Sequence, residues 1–266
     1  MKLIVALSAL LLLITGKANA TGSCPLVTLD FDTLSAGDYV TNQLKAAFGV
    51  TISATSNNGF TPNGAARIFD SAVPTGGDTD LGSPNEVCVG GGPGVGQGGV
   101  PGSQYENCEP LNKVLIIQTG KQNENDPPND NRFGGTITFV FDVPSFIQDL
   151  AILDIDENNP VKVKVSQSRE DEEHFSFRCK FISCGCLLLT LLIRLTQVTT
   201  NDNDEMEFTT ATTKDNGLLR LSINIGNVKT LVVTFPGSGA IAEVNYTRCD
   251  PGTHTPAPAE LFVFCC

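Results

Sequence analysis

Apolar and polar residues alternate along this chain with a period of two. Val27–Leu34 (VTLDFDTL), Gly49–Ala54 and Ala65–Asp70 read as a first group of strands. Val114–Gln118, Thr136–Asp142 and Phe146–Ile155 follow. Val161–Lys164, Met206–Thr210, Leu218–Ile225, Lys229–Phe235 and Ala240–Tyr246 complete the series. Short strands with turn residues between them predict an all-β, antiparallel sandwich of jelly-roll type, over residues 24–249. Helical periodicity is confined to one turn within Thr41–Phe48. The alternation of strands and helices that builds a parallel sheet is missing.

Two stretches interrupt the pattern. Ser71–Asn112 is a long loop of Gly, Pro, Asn and Asp, and Gly90–Gly102 (GGGPGVGQGGVPG) is its most Gly-rich part. That composition predicts a flexible segment, too rich in Gly for a strand and unable to pack a core. The second stretch, Val165–Gln197, holds three of the nine Cys, one of the two His and the run LLLTLLI. Its neighbours are Lys- and Thr-rich strands. Without it, Val161–Lys164 runs into Val198 to give VKVKVTTNDNDEMEF: a strand, a polar turn and a return strand. Val165-Ser166 can be encoded by GTNAGT, a splice-donor sequence, and Gln197 by CAG, an acceptor end. The 33 residues amount to 99 nucleotides and preserve the frame. We read the segment as a retained intron, the alternative being a surface insertion.

Met1–Ala20 has a Lys near its start, an apolar run over Leu3–Ile14 and an Ala18-Asn19-Ala20 cleavage pattern. These are the marks of a secretory leader, and the apolar run is short for a transmembrane anchor. An exported chain meets an oxidising compartment. Outside the insert, Cys24 and Cys249 flank the strand series and Cys88 and Cys108 bracket the Gly-rich loop. Four Cys allow three pairings, of which Cys24–Cys249 and Cys88–Cys108 fit this bracketing. Residues 250–266 form a short tail that ends in Cys265 and Cys266.

The net charge of −12 argues against nucleic acid or an anionic membrane as partner, since both require a basic patch. It suits cations. Asp30 and Asp32 share one face of the first strand, Asp78 and Asp80 follow Gly76-Gly77, and Glu243 lies on the last strand. Calcium takes six to eight oxygens, which carboxylates and loop carbonyls supply together. These five acids are the candidate calcium ligands. The bland reading makes them turn acids, each capping its own backbone. Cys184-Gly-Cys186 is a weak zinc pattern inside the insert. His174 lies in the insert and His254 in the tail, which leaves the strand region without a His for a Ser-His-Asp or Cys-His site. Paired carboxylates could serve a glycosidase, but Trp is absent and only Tyr39, Tyr105 and Tyr246 offer rings of that kind. Asn245-Tyr246-Thr247 is an N-glycosylation sequon on the last strand.

The stretches LDFDTLSAGDYVTNQ, GVTISA and IFDSAVPTGGDTDLGSPN within residues 29–85 resemble a family of exported bacterial and algal β-sandwich proteins. NKVLIIQ, GGTITFVFD, LAILDIDE and LVVTFPGSGAIAEVNY carry the resemblance through Tyr246, skipping Val165–Gln197. It implies a domain like the jelly-roll carbohydrate-binding modules, on proteins sorted to the cell surface. It also implies a structural calcium shared by an acid on the first strand, Asp30 or Asp32, and one on the last, Glu243. The expected function is a non-enzymatic extracellular module for adhesion, matrix or glycan contact, stabilised by calcium and disulfides. The alternatives are a secreted carboxylate-based polysaccharide hydrolase and a purely structural coat component.

Overall fold

The computed structural model describes residues 24–59, 64–119, 125–155, 160–168, 197–201 and 205–248. The leader Met1–Ala20, most of the insert, Cys249, both His and the tail lie outside the described residues. The named strands all pair antiparallel in a sandwich-like fold, as the alternation implied. Its strands are β1 (Leu26–Leu29), β2 (Val50–Ser56), β3 (Ala66–Asp70), β4 (Lys113–Ile117), β5 (Gly135–Leu153), β6 (Lys162–Gln167), β7 (Gln197–Asn201), β8 (Glu205–Thr209), β9 (Leu218–Phe235) and β10 (Ala240–Thr247). The hydrogen-bonded order is β3-β4-β10-β5-β9-β6-β8-β7, with β1 on β10 and β2 on β5. A single helical turn, α1 (Lys45–Phe48), ends at Gly49 in the left-handed region, φ 67°. The described residues contain no helix long and apolar enough to cross a membrane.

Two pairs of expected strands are each one long strand. Thr136–Asp142 and Phe146–Ile155 merge in β5, and Leu218–Ile225 and Lys229–Phe235 merge in β9. The two pair along their length, with register shifts between Val140 and Asp149. Bulges of this kind bend a strand without ending it. The first half of β5 pairs with β2, and the second half with β10. The first expected strand is shorter than its pattern, because Phe31 adopts φ 64° and turns the chain after Leu29.

The main core gathers one face of each layer and includes Leu29, Ile52, Ile68, Leu115, Phe139, Leu150, Val163, Leu231 and Tyr246. The Tyr246 ring packs 5.0 Å from that of Phe141, and its hydroxyl donates to the Phe48 carbonyl at 2.5 Å. Burial pushes this phenol up to about 12. A second cluster lies on the opposite face of the β3-β4-β10-β5 region: Phe69, Val114, Ile116, Ala151, Leu153, Ala240 and Ala242. Leu81 from the long loop covers it, with Leu111 packed against it. This explains the unbroken apolar runs VLII in β4 and LAIL in β5, since strands covered on both faces lose their alternation.

Candidate functional site

The loop that covers the second cluster is built on buried side-chain amides. Asn216 adopts φ 64° just before β9 and is fully buried. Its Oδ1 accepts from Asn85 Nδ2 at 2.7 Å and from Asn107 Nδ2 at 3.2 Å. Its Nδ2 donates to the carbonyls of Asp80 at 2.8 Å and Gly82 at 2.6 Å. Its backbone N–H donates to Asp154 Oδ1 at 2.8 Å. Asn107 also donates to Gly82 O and accepts from Ser83 Oγ, and Asn85 donates to Gly96 O. Three asparagines thus add side-chain partners for the carbonyls of a segment that lies outside the named strands.

The Gly-rich stretch is not the flexible segment its composition suggested. A Cβ on Gly92 would collide with the Pro84 carbonyl, on Gly94 with that of Gly82, on Gly96 with that of Asp215, and on Gly98 with that of Thr213. The glycines are there because another backbone lies where a side chain would go. Gly98 N–H donates to Asp215 O at 2.9 Å and Gly94 N–H to Pro84 O at 2.9 Å. Cys88 and Cys108 form the expected disulfide, with Cα atoms 5.4 Å apart. Cys24 is also disulfide-bonded; its expected partner Cys249 lies outside the described residues.

The five candidate calcium ligands fall in three separate places: Asp30 with Asp32, Asp78 with Asp80, and Glu243. Asp30 Oδ1 accepts from Asp32 N–H at 3.2 Å. Asp32 accepts from Asn112 Nδ2 at 2.9 Å and from Lys113 N–H at 3.1 Å, which ties the end of β1 to the start of β4. Glu243 accepts from Arg220 Nη1 at 3.3 Å and from Asn245 Nδ2. Asp78 and Asp80 lie beside Asp130, which the sequence hid in a polar loop. Asp130 is 7% exposed; it accepts from Gly239 N–H at 2.9 Å and from Ser238 Oγ, and donates its own N–H to Asp78 Oδ2 at 3.1 Å. Burial, then the charge of Asp130, push Asp78 up to about 7 and Asp80 to about 6, from an ordinary 3.8. Among the described residues, no group of three or more His, Cys, Asp or Glu is arranged to hold a metal ion. The sequon residue Asn245 accepts from Thr28 Oγ1 at 2.7 Å and donates to Asp149 at 2.9 Å, so its amide is engaged within the sheet.

A cavity of about 390 Å³ opens beside the Gly-rich stretch, between Gln97, Ser103 and Tyr105 on one side and Thr212, Thr213 and Lys214 on the other. Sequence reasoning passed over Asp130, Asn216 and Lys214. The Asp215-Asn216-Gly217 turn pattern marks the position of Asn216, but nothing local points to its distant partners.

The architecture defines an all-β, sandwich-like protein that carries a disulfide-closed, amide-locked loop. The chain matches no protein-family model, no curated protein and no solved structure.

Proposed function

We propose that this chain is an exported, non-enzymatic β-sandwich module that contacts glycan or matrix outside the cell. The observation that carries the reading is the locked loop. A rigid loop on a β scaffold is a common place for binding residues, and here buried asparagines, interlocked glycines and a disulfide fix one beside an open cavity. The leader and the Cys88–Cys108 bond support export to an oxidising compartment. In this reading calcium acts at Asp78 and Asp80, where it relieves their repulsion with Asp130. The test is a glycan array with the leader-free, insert-free protein: saturable binding without turnover supports the module, and no binding to any glycan or matrix preparation overturns it.

One observation favours a carboxylate hydrolase as the second reading. Asp78, held near 7 by burial and by its neighbour Asp130, has the raised pKa a general acid requires. Polysaccharide cleavage that vanishes in Asp78→Asn would establish it, and intact polysaccharide after prolonged incubation would remove it.

A further inference from the structure

The cavity beside the Gly-rich stretch has a chemical bias. Lys45, Lys113, Lys162 and Lys164 each pair with a carboxylate, and Lys229 donates to the Asp142 carbonyl. Lys214, alone among the described lysines, has neither an ion pair nor a side-chain hydrogen bond. It is exposed on the cavity wall, in a chain whose net charge is −12.

Its place is fixed by the backbone. Lys214 adopts φ 64°, and its carbonyl accepts from Gly217 N–H and from Thr213 Oγ1, both at 3.1 Å. Thr213 Oγ1 in turn accepts from Ile155 N–H at 2.9 Å. The opposite wall is equally held: Ser103 Oγ donates to Gly98 O at 2.6 Å, and the Tyr105 carbonyl accepts from Leu218 N–H at 2.8 Å. The backbone of both walls is therefore set before a ligand arrives, which leaves the Lys214 side chain as the main part to be ordered on binding.

We infer that this cavity binds a uronic-acid unit of an acidic oligosaccharide, with the Lys214 ammonium taking the carboxylate. The inference rests on the glycan-contact reading and names its site and ligand class. The remaining lining suits the rest of a sugar. Tyr105 supplies an aromatic surface for C–H groups, while Gln97 and Thr212 supply neutral donors and acceptors for hydroxyls. A volume of about 390 Å³ is in the range of small-ligand sites and suits one or two sugar rings. Asp215 and Glu106, exposed nearby, oppose an anion, although Glu106 is turned to the Gly102 N–H. Screening over about 8 Å at physiological salt limits the reach of the other acids.

The test uses calorimetric titration of the whole chain with trigalacturonate and with its methyl ester, which removes the charges and adds one methyl group to each carboxyl. We expect saturable binding of the acid and binding of the ester at least about tenfold weaker. Lys214→Gln should lower affinity for the acid about tenfold, with an unchanged melting temperature, and Tyr105→Ala should weaken acid and ester alike. Trimannuronate and a hyaluronan tetrasaccharide extend the set to other uronates. Equal affinity for acid and ester, or indifference of uronate binding to Lys214→Gln, overturns the inference. Saturable binding of neutral glycans alone overturns it and leaves the module reading standing, whereas no binding to any glycan in the set or on the array overturns both.

Discussion

Asn85 donates its side-chain amide to Asn216 Oδ1 at 2.7 Å, although 131 residues separate them. That bond and the one from Asn107 tie the long loop to the turn before β9, in a place where water is excluded. Asn216→Gly keeps the positive φ available and removes the amide, which leaves Asn85, Asn107 and the Gly82 carbonyl short of partners. Each stranded buried group costs about 1–3 kcal/mol. We expect a loss of at least about 3 kcal/mol, read by urea denaturation. A variant within about 0.5 kcal/mol of wild type would mean that water replaces the amide.

The glycines give a paired comparison. Gly98→Ala places a methyl group against the Thr213 carbonyl, so the loop must move or the turn must open. Gly226→Ala meets only Phe146 Cδ2, at 3.6 Å. The first should cost more than about 2 kcal/mol, in the range of overpacking, and the second less than about 0.5 kcal/mol. Similar thermal shifts for both would show that the Gly-rich stretch yields freely.

Asp78 and Asp80 set a pH dependence. Their folded values, about 7 and about 6, lie above the ordinary 3.8, so the folded chain holds these protons more tightly than the unfolded one. Their contribution is full below about pH 4 and is lost as pH rises towards 7. In chelator, the doubly substituted Asp78→Asn, Asp80→Asn protein should gain most over wild type at pH 8, and the gain should shrink towards pH 5. Calcium should raise the wild-type melting temperature more at pH 7.5 than at pH 5.5, because protons compete for the same oxygens. Parallel melting profiles for wild type and variant would rule out both effects.

The retained-intron reading makes a structural prediction. In β6, Val165 is fully buried and lies opposite Met206 of β8, and Ser166 lies opposite Glu205. Deleting Val165–Gln197 brings Val198 into the position of Val165 and Thr199 into that of Ser166. The valine is restored, the serine becomes another hydroxyl residue that suits a strand, and residues 200–204 close a hairpin. The same β8 residues pair with β7 on their other side, Val198 opposite Phe208. The deleted chain should express at least as well and melt no lower than the full chain. Transcript reads continuous through the segment, with a matching peptide, would identify it as part of the protein.

Most strands were legible because alternation reports burial of one face; the unbroken runs in β4 and β5 were read as strands, but the second face they bury emerged only from the fold. The union of two segments in β5 was not. Asp142-Val-Pro-Ser145 reads as a break, yet the register slips there and the strand continues. The loop's order was hidden for a different reason. Glycines that admit a carbonyl and glycines that merely bend look alike in sequence, and an asparagine in a loop reads as a turn former whatever its amide reaches. Asp130 is hidden in the same way, since NDPPNDN gives no sign that its second aspartate lies under Ser238 and Gly239.

The pairing of β1 with β10 sets Leu26 opposite Thr247 and Leu29 opposite Val244. The described chain therefore enters and leaves the sandwich at one corner. Tension drawn through the flanking segments would be carried across that corner. Once the expected Cys24–Cys249 bond is reduced, the tension would load β1 and β10 in a peeling direction, one residue pair at a time, instead of shearing the ladder as a whole. Until that peel starts, the body of the sandwich hangs off the line of force, and the locked loop with its cavity keeps its shape on a pulled chain.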